Sequence, residues 1–322
     1  MRVLSGVQPS GNLHIGNYFG AIRQFLRLQE EHDCYYFLAD LHALTTVQDS
    51  GKFRALVRDL ATGFLALGLD PARSVIYRQS DIPEVTELSW YLSTVTSMGL
   101  LQRCHSFKDK VAQGVVPSHG LFAYPVLMAA DILIVKSDLV PVGKDQKQHL
   151  EVTRDIATSF HAVYGADVFV LPKPLILDDV AVVPGIDGRK MSKSYANTID
   201  IFGPEKPTRK TIMSIVTDST PVEDPKPRED NALYHLLKLF APDETERSWV
   251  EAAFSEGGTG YGEMKKRLFD YYLATFGDAR ARYEELKADP AEVDRILAAG
   301  ADKARETAAP LMEEVRRAVG MR

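Results

Sequence analysis

Arg2-Val3-Leu4-Ser5-Gly6-Val7-Gln8-Pro9-Ser10-Gly11-Asn12-Leu13-His14-Ile15-Gly16-Asn17 passes from a short apolar strand, through a turn rich in Gly, Pro and Asn, into a helix that begins near Gly16. Phe19, Ile22 and Leu26 continue that helix at three- and four-residue spacing, and Cys34-Tyr35-Tyr36-Phe37-Leu38-Ala39 reads as a second, buried strand. Phe53, Leu56, Val57, Leu60, Phe64 and Leu67 mark a second amphipathic helix ended by Gly68, and Ser74-Val75-Ile76-Tyr77 a third strand. Strand, helix, strand, helix, strand with short connections predicts an α/β fold, a doubly wound parallel sheet with right-handed crossovers.

From about 82 to 135 the spacing turns helical and less regular, which predicts a helical insertion between the halves of the sheet. Leu139 to Gly143 returns to strand character, Asp145 opens a helix through Gln148, Val152 and Ile156, and Val168–Leu171 and Val180–Val183 are the last expected strands. After Pro204 the period is helical almost throughout. The expected division is therefore an α/β domain over 1–203 and an all-α C-terminal domain over 204–322, with the proline- and acid-rich stretch 218–230 as an exposed linker. Basic and acidic residues balance along 262–322, as on ion-paired, solvated helix faces.

A chain of 322 residues has ample length for a sizeable core. Its net charge of −6 provides no global field to attract nucleic acid, so any RNA contact must come from a local patch. Two cysteines, Cys34 and Cys104, argue against a disulfide framework and fit a reducing compartment. The start resembles a strand rather than a signal peptide, and the apolar stretch Leu121–Val135, interrupted by Pro125 and Asp131, is too short to span a bilayer. A cytoplasmic protein without membrane attachment is expected.

Two stretches carry chemistry. Arg189-Lys190-Met191-Ser192-Lys193-Ser194 sets two ammonium groups three residues apart among hydroxyls, after the turn formers Pro184-Gly185-Ile186-Asp187-Gly188; such a loop suits a ligand of several negative charges. His14, Gly16 and Asn17 stand at the first helix N-terminus, beyond the carboxyl end of a strand, where doubly wound sheets bind phosphorylated ligands.

Lys190-Met191-Ser192-Lys193-Ser194 resembles the KMSKS signature of class I aminoacyl-tRNA synthetases, and His14-Ile15-Gly16-Asn17 the HIGH motif, with Asn17 in place of the usual final histidine. Val7 to Gly11, Asp40-Leu41-His42-Ala43, Tyr124 to Leu133 and Val140 to His149 are similar to successive blocks of the bacterial tryptophanyl branch, so the resemblance runs from Met1 to roughly Ser219. It implies a Rossmann catalytic domain, a helical anticodon-reading domain and a homodimer. The implied reaction has two steps: tryptophan carboxylate attacks the α-phosphate of ATP, with Mg²⁺ neutralising the phosphates, and the adenylate then esterifies the end of tRNA(Trp). No dedicated metal site is implied.

On the resemblance, Lys190, Lys193 and Lys110 would act on the departing phosphates. ATP would be held by Gln8, Pro9, Ser10, His14, Gly16, Asn17, Gly143, Lys144, Asp145, Val182, Met191, Ser192 and Ser194 together with the two lysines of the signature. Tryptophan would be held by Leu4, Gln8, His42, Tyr124, Met128, Asp131, Val140, Val142 and Gln146. Asp131, in an otherwise apolar helix, needs a partner: an indole N–H, or a purely structural salt bridge or helix cap. The sister tyrosyl enzyme, a catalytically silent paralogue that binds RNA or a partner, and a general nucleotidyltransferase are the competing assignments.

Overall fold

The computed structural model describes residues 1–104, 118–143, 147–176 and 182–321. Five parallel strands, β1 (Arg2–Val7), β2 (Asp33–Leu38), β3 (Ser74–Arg78), β4 (Leu139–Val142) and β5 (Lys173–Ile176), form one sheet in the order β3-β2-β1-β4-β5. This is the doubly wound arrangement that the strand–helix alternation predicts. Successive residues face opposite sides, as the two-residue period of a strand requires. Val3, Cys34, Tyr36 and Ile76 enter one core, and Leu4, Tyr35, Phe37, Val75 and Tyr77 the other.

β1 pairs with β2 along its length, from Arg2↔Asp33 to Val7↔Leu38. With β4 it pairs only at Val3↔Leu139, and toward their carboxyl ends the two strands part. Order reverses at this junction, so the crevice opens where open α/β sheets bind ligands.

After β1 the chain enters Ile15–Asn17, widens into a π-helical segment over Tyr18–Ile22 and continues as an α-helix over Arg23–Glu31. The wide segment had no expectation from spacing alone, and such segments are often found beside functional sites. The insertion is helical as expected, with helices Glu84–Val95, Met98–Gln102 and His119–Ile134. Helix Lys147–Tyr164 then leads to β5.

Val168–Leu171 is not a strand: the Phe169 backbone N–H donates to His161 Nε2 (3.1 Å), and the Phe169 ring stacks on that imidazole. The ladder starts later, at Lys173, on an edge where Pro174 is tolerated. Val182 and Val183 also lie outside the sheet. There the Met191 N–H donates to the Val183 carbonyl and Pro184 bridges Lys190 antiparallel; the rest of that expected strand, and Asp145 as a helix start, lie outside the described residues.

Beyond 204 the named elements are helices: Glu205–Met213, Ala232–Phe240, Glu244–Ser255, Tyr261–Ala288 and Pro290–Ala318. The 218–230 stretch is irregular and mostly exposed, but folds around Lys226, a buried lysine whose Nζ donates to the carbonyls of Pro221, Val222 and Asp224. The final helix crosses edge strand β3. Val293 and Leu297 pack into one core, and Ala301, Ala304, Ala308, Leu311, Met312 and Val315 into the other.

At the crossing the backbones meet so closely that a Cβ on Gly300 would stand 1.9 Å from the Ile76 carbonyl oxygen. Gly300→Ala must push the helix off the strand. The expected loss is about 1–3 kcal/mol, the usual range for an overpacked contact. Urea denaturation would measure it, and wild-type stability would show that the helix shifts there freely.

Candidate active site

Two adjoining cavities occupy the crevice and share Ser5, Gly6, Pro141 and Val142. The larger, about 640 Å³, runs from Ser10, His14, Gly16 and Asn17 to Val182, Val183 and Lys190 to Lys193. The smaller, about 270 Å³, lies over the other face of the sheet.

The larger cavity joins segments far apart in sequence. The Ile15 N–H donates to the Ile199 carbonyl (3.0 Å), the Ile201 N–H to the Leu13 carbonyl (3.0 Å), and Asn12 Nδ2 to Asp200 Oδ2 (2.9 Å). These bonds hold the start of the first helix against the chain that leaves the lysine loop. Lys193 Nζ consequently reaches Ser10 Oγ at 3.4 Å. The loop alternates: Met191 is buried in the core, while Lys190 is exposed and Ser192 and Lys193 are half-buried.

The electrostatics of this cavity favour an anion. His14 Nδ1 is buried without a hydrogen-bond partner among the described residues. Burial, and secondarily the Lys193 charge, lower the His14 pKa to about 4, against a smaller upward pull from Asp200. Burial also lowers the Lys193 pKa, although Asp200 and Asp59 oppose it. A cation and a neutral ring donor, both short of compensating partners, suit a negatively charged guest.

In the smaller cavity Asp131 is 3% exposed on helix His119–Ile134. Its Oδ2 lies 2.9 Å from His42 Nε2, and Gln79 Nε2 donates to both oxygens at 2.8 and 2.9 Å. Gln79 is fully buried, and its Oε1 accepts from the Leu41 and His42 backbone N–H groups, so the amide cannot turn. Burial raises the Asp131 pKa, and the His42 and Gln79 hydrogen bonds pull it back. The carboxylate is thus fixed with acceptor capacity left, among Leu4, Phe37, Met128, Ile132, Val140 and Val142.

The positions expected from sequence fall into two groups. Leu4, Gln8, His42, Tyr124, Met128, Asp131, Val140 and Val142 all line the smaller cavity. Ser10, His14, Gly16, Asn17, Gly143, Val182, Lys190, Met191, Ser192 and Lys193 line the larger one. Gln8 stands on the smaller cavity rather than the larger, and neither Pro9 nor Ser194 lines either; the Ser194 hydroxyl lies 2.8 Å from that of Ser192. Lys110, Lys144, Asp145 and Gln146 lie outside the described residues. Phe37, Gln79, His149, Asn197 and Asp200 were not singled out from sequence. Gln79 sits just past the carboxyl end of β3, a position that could have drawn notice.

With the geometry in place, comparisons locate the chain among known proteins. Residues 1–277 match the family described as tRNA synthetases class I (W and Y). The tryptophan–tRNA ligase of Rhodopirellula baltica is 55% identical, with all of both chains covered. That of Fusobacterium nucleatum is 50% identical, over 99% of this chain and 98% of the relative. A crystal structure of Campylobacter jejuni tryptophanyl-tRNA synthetase, complexed with ADP and tryptophan, superposes with a TM-score of 0.94 at 50% identity, covering 99% of this chain and 100% of that one. The chain belongs to the class I tRNA synthetases. Within that class it falls in the bacterial tryptophanyl branch.

The neutral His14 has a consequence for acid stability. The unfolded ring takes up a proton as pH falls below its ordinary 6.5, whereas the folded ring stays neutral down to about 4. Stability therefore declines as pH drops through this window, with the full loss reached below about 4. In His14→Asn the fall in urea midpoint from neutral pH to about pH 5 should be smaller than in wild type. An equal fall in both would mean that His14 does not carry the effect.

Proposed function

We infer that this chain is a tryptophan–tRNA ligase, activating tryptophan with ATP and passing it to tRNA(Trp). Full-length identity of 50–55% to ligases of that name supports the reading. The observation that carries it is the meeting of His14–Asn17 and Lys190–Lys193 on a cavity that adjoins an apolar pocket with Asp131 on its wall.

ATP enters as its magnesium complex, a substrate whose metal is held by phosphate oxygens. Its triphosphate would lie along His14, Asn17 and the lysine loop, with Lys190 and Lys193 meeting charge on the pyrophosphate as it departs. Lys110 is proposed as a third cation. Gly143, Lys144, Asp145 and Val182 would border the nucleoside. In the smaller cavity the indole would lie among Leu4, Met128, Val140 and Val142 and donate its N–H to Asp131, while Gln8, Tyr124 and Gln146 meet the ammonium and carboxylate. The attack needs no protein nucleophile, only alignment and charge stabilisation.

Residues 204–322 are proposed to read the anticodon. A homodimer is proposed from the exposed Trp90 and Met98 on the insertion (70% and 62% exposed). Among the described residues no helix is long and apolar enough to cross a membrane, and a cytoplasmic location is proposed.

ATP–pyrophosphate exchange with a panel of amino acids tests the assignment. Exchange should depend on tryptophan, and exchange supported by tyrosine alone would refute it. Lys193→Ala should slow adenylate formation roughly 10²–10³-fold with tryptophan affinity retained, because the contact grows as charge develops. Rapid quench reads this directly, and an unchanged rate would remove Lys193 from the reaction.

Asp131→Ala should lower kcat/KM for tryptophan and narrow its advantage over phenylalanine, which has no N–H to offer. Sites of this type reject such analogues by roughly 10⁴-fold or more. Wild-type discrimination in a folded variant would make Asp131 structural.

A further inference from the structure

The lysine loop is fastened from outside the two cavities by one side chain. Asn197 is 1% exposed and lines neither cavity. Its Nδ2 donates to Asp187 Oδ1 (2.7 Å) and to the Lys190 carbonyl (3.2 Å), and its Oδ1 accepts from the Ser192 N–H (2.8 Å). Its own carbonyl accepts from the Ile186 N–H (3.1 Å). One amide thus grips the loop before, at and after Lys190. Two residues further on, Ile199 accepts from Ile15, so the same short stretch ties the loop to the start of the first helix.

We propose that Asn197 is a positioning residue for activation: it sets where Lys190, Ser192 and Lys193 stand relative to His14 and Ser10, without touching ATP. The proposal rests on the assignment of 190–193 to the triphosphate. Three features of the structure agree with it. The amide is neutral, so it holds the loop without drawing either lysine away from an anion. It is built to three partners at once, two as donor and one as acceptor, which aspartate cannot match. The loop has also made room for it: a Cβ on Gly185 would fall 2.2 Å from Asn197 Nδ2 and 2.8 Å from its carbonyl oxygen. Gly185→Ala should therefore unseat Asn197 without altering any group that faces the cavity.

A displacement of the lysines should appear in the rate of activation rather than in tryptophan binding, since the tryptophan pocket shares no wall with Asn197. In tryptophan-dependent ATP–pyrophosphate exchange by the full chain, Asn197→Ala and Gly185→Ala should each lower kcat by about 10²-fold, the scale of an ångström-sized misplacement. Tryptophan affinity without ATP, from equilibrium dialysis, should stay as in wild type. Adding Asn197→Ala to a variant that already lacks both lysines, Lys190→Ala with Lys193→Ala, should cost little more than that variant alone, because the asparagine acts through the lysines it positions. If the alanine variant does not fold, Asn197→Asp replaces it: it keeps the acceptor for Ser192 but loses both donors and faces Asp187, and the same loss of kcat is expected.

Wild-type kcat in Asn197→Ala would overturn the proposal. So would a parallel loss of tryptophan affinity, which marks a general structural role, or a further full loss when Asn197→Ala is added to the variant lacking both lysines. If Lys193→Ala alone leaves kcat unchanged, the phosphate assignment itself has failed, and with it the proposal; normal kcat in Asn197→Ala beside a defective Lys193→Ala isolates the failure to Asn197.

Discussion

One backbone pairing, Val3 with Leu139, joins the two halves of the sheet, and the two cavities of the candidate site follow from what happens beyond it. Because β1 stays zipped to β2 while β4 goes with β5, the gap widens toward the carboxyl ends. Backbone N–H and C=O groups on either side of a gap must be satisfied or meet solvent. Here they border two cavities that share a narrow wall of Ser5, Gly6, Pro141 and Val142. On the proposed assignment a molecule in one cavity would border a molecule in the other, the arrangement that a reaction between a carboxylate and a phosphorus requires.

The two cavities are polar in opposite ways. Around His14 and Lys193 cationic capacity exceeds its compensation, and the protein bears the desolvation of a lysine and an orphaned ring nitrogen. Around Asp131 the reverse holds: a buried carboxylate is met by His42 and a locked Gln79, so its orientation is settled before any guest arrives. One site is left wanting charge, and the other is left with a single directional acceptor. On the proposed assignment, affinity for an anion and selectivity for an N–H donor fall to separate side chains on separate elements.

Most of the sheet was legible because its strands are continuous apolar runs between turn formers, and eight of the side chains assigned to the smaller cavity do meet there. Where legibility failed, tertiary bonds had overruled local pattern. Val168–Leu171 looks like a strand, yet His161 takes the Phe169 N–H and the ladder forms one proline later. Gln79 and Asn197 escaped notice because a lone amide in sequence carries no period and no charge, and its importance lies in the several partners that folding collects around it. The lysine loop shows the same limit: its charges were legible, but not the bonds among Asp187, Arg189 and Asn197 that knit its first half together.

The helix Pro290–Ala318, which lies across β3, also shapes how the molecule comes into being. An uncovered edge strand is a template for pairing with other chains. Synthesis delivers the sheet long before this helix, so β3 waits with an open flank while the intervening residues are made. Contacts between Ile76 and Gly300 span much of the chain, and contacts of such long sequence separation form slowly. The sheet that borders both cavities is therefore the first part made and, along its β3 edge, among the last to be sealed.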